Sequence, residues 1–196
     1  MITKLRNRIK PILDATAPHV GKVFPPNALT LLNLISALAY IACIEMLQQG
    51  DAVSIYVALL FYAASATFDV LDGAVARATG RKSKFGAFLD STTDRIVDAI
   101  YVFSLYLLHV ISIEGTMLLL VASYLISYVR ARAEALGVHM EGVGIIERGE
   151  RVILTFIAVA LTPISLPASK VLVYLLIILS LITALQRIYH VYKNLK

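Results

Sequence analysis

Apolar residues fall along this chain in long blocks. Six blocks of about 20 residues or slightly fewer lie near 27–48, 53–79, 85–109, 116–136, 146–162 and 169–192. A helix needs about 20 apolar residues to cross a bilayer, so the pattern predicts six transmembrane helices. The links are short and polar: Gln49-Gly50-Asp51-Ala52, Thr79 to Lys84, Val110 to Gly115, a longer stretch from Gly137 to Gly144, and Pro163 to Pro167. The stretch before the first block differs. Ile2, Leu5, Ile9, Ile12 and Leu13 recur at helical spacing while Lys4, Arg6, Arg8 and Lys10 fill the other face, as in a helix lying among anionic headgroups. Pro25-Pro26 ends it, and Asn27 is placed to cap the first apolar helix. The predicted fold is an all-α integral membrane protein. It has an N-terminal interfacial amphipathic helix over 1–24 and a membrane domain of six transmembrane helices over 25–196.

Composition agrees. Of the 196 residues 59% are hydrophobic, and the mean hydropathy of +0.79 is beyond that of a soluble domain this size. A net charge of +5 raises the question of nucleic acid, but topology explains it better. All of the 18 Lys and Arg residues except Lys170 fall on one side of the predicted bilayer. The positive-inside rule then puts both termini on the cytoplasmic face of the cell membrane, and no nucleic-acid partner is expected. The lone Cys43 excludes an internal disulfide. Met1 to Phe24 interleaves charge with apolar residues and lacks a cleavage site, unlike a signal peptide.

Four carboxylates interrupt this apolar background. The chain reads D-V-L-D-G-A-V-A-R from Asp69, then eight residues, then G-A-F-L-D-S-T-T-D to Asp94. Asp69 and Asp72 share a helix face, as do Asp90 and Asp94. Between the pairs lies the basic break Thr79-Gly80-Arg81-Lys82-Ser83-Lys84. If the chain turns back there, a rise of about 1.5 Å per residue puts Asp72 and Asp90 roughly 12 and 9 Å from the break, and Asp69 and Asp94 both roughly 15 Å. The two pairs come level, and a pocket with four acids results. So many carboxylates near hydrocarbon need protons or cations, and all-oxygen ligation suits Mg²⁺, Mn²⁺ or Ca²⁺. Two such ions about 4 Å apart would clamp a phosphoryl group. Gly73, Ala76 and Gly86 leave room beside the acids, and Arg77 is placed to touch a phosphate. Asp98, one turn deeper, reads as a structural partner of Arg95.

Two further groups flank the acids. Asn27, Thr30 and Asn33 recur every third residue, as either a nucleotide contact or a set of caps and interhelical hydrogen bonds. Arg130 and Arg132 end the fourth block, Arg148 and Arg151 open the fifth, and Arg187 lies in the sixth. Arginine grips phosphate through paired donors, so these five read as an anion site.

The D-x-x-D-G-x-x-A-R, eight residues, G-x-x-x-D-x-x-x-D pattern resembles the signature of the CDP-alcohol phosphotransferase family, without a departure, and P-N-x-L-T at Pro26–Thr30 resembles another segment of it. The resemblance implies a CDP-linked lipid donor, an alcohol acceptor, CMP as leaving group, and a homodimer among membrane lipids. It implies that Asp69, Asp72 and Asp90, with Asp94, hold two Mg²⁺ (or Mn²⁺) ions. Asp94 would take the acceptor's proton. Asn27, Thr30, Asp69, Gly73, Ala76 and Arg77 would meet the nucleotide and its diphosphate. The A-R-A-E and E-R-x-E-R segments resemble the phosphatidylinositol-phosphate synthase branch and its archaeal ether-lipid counterparts. Inositol 1-phosphate is therefore the expected acceptor, held by Arg130, Arg132, Arg148, Arg151 and Arg187. Glycerol 3-phosphate is the alternative acceptor. Outside enzymes, a divalent-cation transporter or a packing protein with buried acid–arginine pairs would also carry intramembrane acids.

Overall fold

The computed structural model describes residues 2–50 and 55–196, with side chains from Pro11 onward. Among them the chain is all α, with seven helices. The side chains of Ile2, Lys4, Leu5, Arg6, Arg8, Ile9 and Lys10, and all of Asp51 and Ala52, lie outside the described residues. Contacts divide the chain into two compact units, residues 1–100 and 101–196.

The first unit holds α1 (Ile2–Val23), α2 (Pro26–Gln48), α3 (Ile55–Ala78) and most of α4 (Lys84–Leu107). α2 does not start at an Asn27 cap: Pro25 is its N-cap, with no side-chain cap, and Pro26 opens the first turn, where a missing N–H costs nothing. Along the α2–α3 seam the buried rings of Tyr40 and Tyr62 meet edge to face at 5.1 Å. The last turns of α1 dock on this pair. Ala17, Leu29, Ala74 and Val75 form one buried cluster, with Leu13, Val20, Leu32, Phe68 and Leu71 packed around it. So part of the apolar face that reads as lipid-facing in sequence is spent on protein, while Ile12 stays outward at 63% exposure. The α1–α3 approach is close: a Cβ on Gly21 would lie 2.6 Å from Thr79 Cγ2. Arg81 of the basic break donates to the Gly21 carbonyl at 3.3 Å, and Ser83 Oγ accepts the Gly86 N–H at 2.9 Å as α4 begins.

The second unit holds the end of α4 with α5 (Ile113–Ala135), α6 (Arg148–Leu161) and α7 (Leu166–Leu195), and α7 packs on both α5 and α6. Gly137, at φ +80°, ends α5, and the Val138 N–H reaches back to the Ala133 carbonyl at 2.9 Å, a Schellman closure. The loop to α6 is then pinned to α7. Thr183 Oγ1 accepts the Ile146 N–H at 3.1 Å, and Arg187 Nε donates to the Val143 carbonyl at 3.0 Å. Gly144 sits under this pin at φ +117°, where a Cβ would come 2.5 Å from Thr183 Cγ2. Gly144→Ala is therefore expected to destabilise the protein by about 1–3 kcal/mol from backbone strain alone, with crowding of Thr183 adding to it. Thermal unfolding of the detergent-solubilised variant checks this. An unchanged midpoint would mean that the loop relaxes without cost.

The distribution of polarity is that of a protein in lipid. Thr30, Asn33, Ser65, Asp72, Ser123, Thr155, Ser169 and Ser180 are buried, whereas Leu60, Val171, Ile178 and Leu185 face outward. Four helices, α2, α3, α5 and α7, are long and apolar enough to cross a membrane. Of the remaining three, α4 and α6 fall on predicted spans and differ from a plain apolar one. α4 carries Asp90, Asp94, Arg95 and Asp98 within its length, and α6 has 14 residues, about 21 Å at the helical rise.

Candidate active site

Helix period and the turn at Gly80 bring the acids together. Asp69 on α3 and Asp90 and Asp94 on α4 each present a carboxylate oxygen within 4.8 Å of the other two. Opposite ligands around Mg²⁺, at bonds of about 2.1 Å, stand about 4.2 Å apart. A small contraction of this all-oxygen set therefore accommodates one divalent cation. All three residues are half-buried, so such an ion would keep access to water or substrate.

Asp72 belongs to the same region but is held differently. It is buried, and its Oδ2 accepts the Thr30 hydroxyl at 2.7 Å. Asn33 Nδ2 donates to Asp69 Oδ1 at 3.1 Å, and Ser65 Oγ donates to Asn33 Oδ1 at 2.6 Å. The every-third-residue stripe on α2 thus divides: Thr30 and Asn33 each meet an acid, and Asn27 and Thr30 also line a cleft. Arg95 lies 3.5 Å from Asp94 and 3.7 Å from Asp98, an ion pair that bears out the structural partner expected for Asp98.

The cleft beside the acids, about 220 Å³, is walled by Pro26, Asn27 and Thr30 of α2, Asp72, Gly73, Ala76 and Arg77 of α3, and Gly86, Ala87 and Asp90 of α4. Arg81, Lys82 and Ser83 of the break complete it. In sequence these three read only as a turn, although their place at the open end of an acidic hairpin was a usable signal. Small residues keep the cleft open. A Cβ on Gly73 would sit 3.2 Å from Arg77 Nη1, and one on Gly86 would sit 3.1 Å from Asn27 Oδ1. Acid on one wall and cations on another suit a diphosphate bound through metal.

In the second unit the arginines are unequal. Arg151 and Arg187 are buried, Arg148 is half-buried, and Arg130 and Arg132 are exposed. Arg130 Nε donates to Glu134 at 2.9 Å, which compensates part of its charge. Arg187 uses Nη1 on the Ile126 carbonyl at 2.7 Å and Nε on Val143, so it ties α7 to α5 and the loop. Arg148 and Arg151 occupy the first turn of α6, which is closed by a capping box between Glu147 and Glu150. Positive side chains at the positive end of a helix favour a bound anion there.

Residues 23–193 match the family model described as CDP-alcohol phosphatidyltransferase. The chain belongs to that family. Its archaeal relatives include the archaetidylinositol phosphate synthase of Pyrococcus horikoshii, 40% identical over 100% of this chain and 99% of that protein. The phosphatidylinositol phosphate synthase of Corynebacterium glutamicum is 36% identical over 83% of this chain and 75% of its own. Among solved structures, the Mycobacterium tuberculosis phosphatidylinositol phosphate synthase with CDP-DAG bound superposes with a TM-score of 0.76 at 31% identity, covering 93% of this chain and 94% of that one. The same enzyme in complex with manganese and citrate superposes with a TM-score of 0.74 at 32% identity, covering 93% and 88%. The family match makes this chain a membrane-bound CDP-alcohol phosphotransferase.

Proposed function

We propose that this enzyme transfers the phosphatidyl-type group of a CDP-linked lipid, CDP-diacylglycerol or CDP-archaeol, to the hydroxyl of inositol 1-phosphate, releasing CMP. The observation that carries the reading is the three-carboxylate cluster at a cleft walled by Arg77, Arg81 and Lys82. The names of full-length relatives support the choice of acceptor. Asp69, Asp72, Asp90 and Asp94 would hold two Mg²⁺ or Mn²⁺ ions. When bound there, the ions supply charge neutralisation on the pyrophosphate oxygens. Asn27, Thr30, Gly73 and Ala76 shape the nucleotide's seat together with Asp69. Arg77 meets the diphosphate and stabilises charge as CMP leaves. Asp94 accepts the proton of the attacking hydroxyl. The acceptor's phosphate goes to Arg132, Arg148 and Arg151, with Arg130 and the loop-holding Arg187 contributing.

On the same reading α4 and α6 lie in the membrane beside the four plainer spans, with α1 at the interface. Residues 1–24 then form the interfacial helix and 25–196 the catalytic membrane domain. The protein works as a homodimer in the cell membrane, with both termini and the site facing the cytoplasm, as the Lys and Arg distribution supports. Turnover of both CDP-lipids by the purified enzyme, against inositol 1-phosphate, plain inositol and glycerol 3-phosphate in competition, tests the assignment. Efficient use of plain inositol, or preference for glycerol 3-phosphate, overturns the acceptor and leaves the phosphotransferase chemistry standing.

The arginines carry their own prediction. Arg132→Gln, Arg148→Gln and Arg151→Gln are each expected to raise the acceptor's KM while the KM for CDP-lipid barely moves. A lost charged hydrogen bond costs about 1.5–3 kcal/mol, roughly ten- to a hundredfold. Arg130→Gln should do less, because Glu134 already holds its Nε. Equal effects on both substrates would show that these residues act on folding or on the donor.

A further inference from the structure

We propose that Asn33 and Ser65 are positioning residues for the metal-binding carboxylate of Asp69. This rests on the reading of the acids as a cation site. Both residues are fully buried at 0% exposure, in a seam where an unsatisfied amide or hydroxyl would be costly. They are joined in a single directed chain: Ser65 Oγ donates to Asn33 Oδ1 at 2.6 Å, and Asn33 Nδ2 donates to Asp69 Oδ1 at 3.1 Å. Ser65 stands one turn before Asp69 on α3, and the Asn33 amide reaches across from α2 to bridge them.

The direction of this chain is set by the donor inventory. An ionised carboxylate only accepts, so the amide must turn its nitrogen to Asp69. Its oxygen then faces Ser65, whose hydroxyl is left to donate. Ser65 thereby fixes which way the Asn33 amide points, and Asn33 fixes the plane of the Asp69 carboxylate against rotation. Asn33 does not wall the cleft that Asn27 and Thr30 help to form, so its effect reaches the site through Asp69 rather than through a nucleotide.

A chain that served packing alone would change stability and nothing else. Purified enzyme in detergent, titrated with Mn²⁺ without nucleotide and followed by the electron-spin signal of free Mn²⁺, separates the two. Metal-free thermal midpoints are recorded alongside. Asn33→Leu is expected to weaken Mn²⁺ binding roughly 10–100-fold, as losses of ligand-orienting partners do. Ser65→Ala should weaken it less. The double variant should lose less than the sum of the two single losses, because Ser65 reaches Asp69 through Asn33 and the two effects then overlap. Unchanged Mn²⁺ affinity in both single variants, whatever their thermal midpoints, overturns the proposal. Should Asn33→Leu fail to fold, Ser65→Ala decides alone in the same way. A wild-type enzyme that binds no Mn²⁺ would remove the cation reading of the acids and this inference with it. Wild-type binding with unaltered variants would remove this inference only.

Discussion

Asp90→Asn is expected to abolish transfer while leaving a folded protein, and Asp69→Asn and Asp72→Asn to do the same. The exchange is isosteric, and at Asp69 and Asp90 it removes one unit of negative charge from a cluster whose ligand oxygens lie within 4.8 Å of one another. Folding should tolerate the change. Asp90 is only half-buried, and an Asn at 72 still offers an oxygen to the Thr30 hydroxyl that Asp72 now accepts. Relief of repulsion among neighbouring acids would even favour the folded chain slightly. Chemistry should not tolerate it. A pyrophosphate brought against carboxylates is repelled unless cations intervene, and a metal's share of transition-state stabilisation is several kcal/mol. At about 1.4 kcal/mol per tenfold, that is on the order of a thousandfold in rate or more. Initial rates for each variant, with thermal midpoints as the folding control, make the measurement. Wild-type turnover that survives excess chelator, or a variant near wild-type activity, would sink the two-ion model.

Asp69, Asp90 and Asp94 are legible as a group because helices are rigid rulers. Once Gly80 is taken as the turn, counting residues outward sets which side chains come level. The same count treats all four acids alike, whereas the structure seats Asp72 apart, buried under Thr30. That difference depends on the rotation of α2 about its axis. A helix apolar on nearly every side gives no phase from sequence, so the stripe of Asn27, Thr30 and Asn33 can be seen but not aimed. Half of what Arg187 does is hidden for a related reason. Its charge suggests an anion ligand, while the Ile126 and Val143 carbonyls that take two of its nitrogens are backbone groups with no signature in the side-chain pattern. The six blocks all become helices, yet block length alone does not distinguish the short α6 or the charged α4 from the four plainer spans. The docking of Leu13, Ala17 and Val20 on protein is hidden likewise, since an apolar stripe looks the same whether lipid or a neighbouring helix covers it.

Asp94→Asn should separate the base from the ligands. Asp94 sits within the three-acid cluster, yet it does not wall the cleft with Asp72, Asp90 and Arg77. A donor seated in that cleft would keep most of its contacts when Asp94 loses its charge. The acceptor's proton would not keep its destination, because an amide oxygen is far too weak a base to receive it. Arg95, 3.5 Å from Asp94, would be left beside a neutral amide while keeping Asp98 at 3.7 Å, a modest loss at a half-buried pair. Rate should therefore fall much more than binding. General-base contributions run to about 10²–10⁴-fold, and kcat should drop by that order while CDP-lipid affinity, read by calorimetry without acceptor, stays close to wild type. Should CDP-lipid affinity collapse as far as the rate, Asp94 is chiefly a metal ligand. The proton would then have to leave through another group near Asp90.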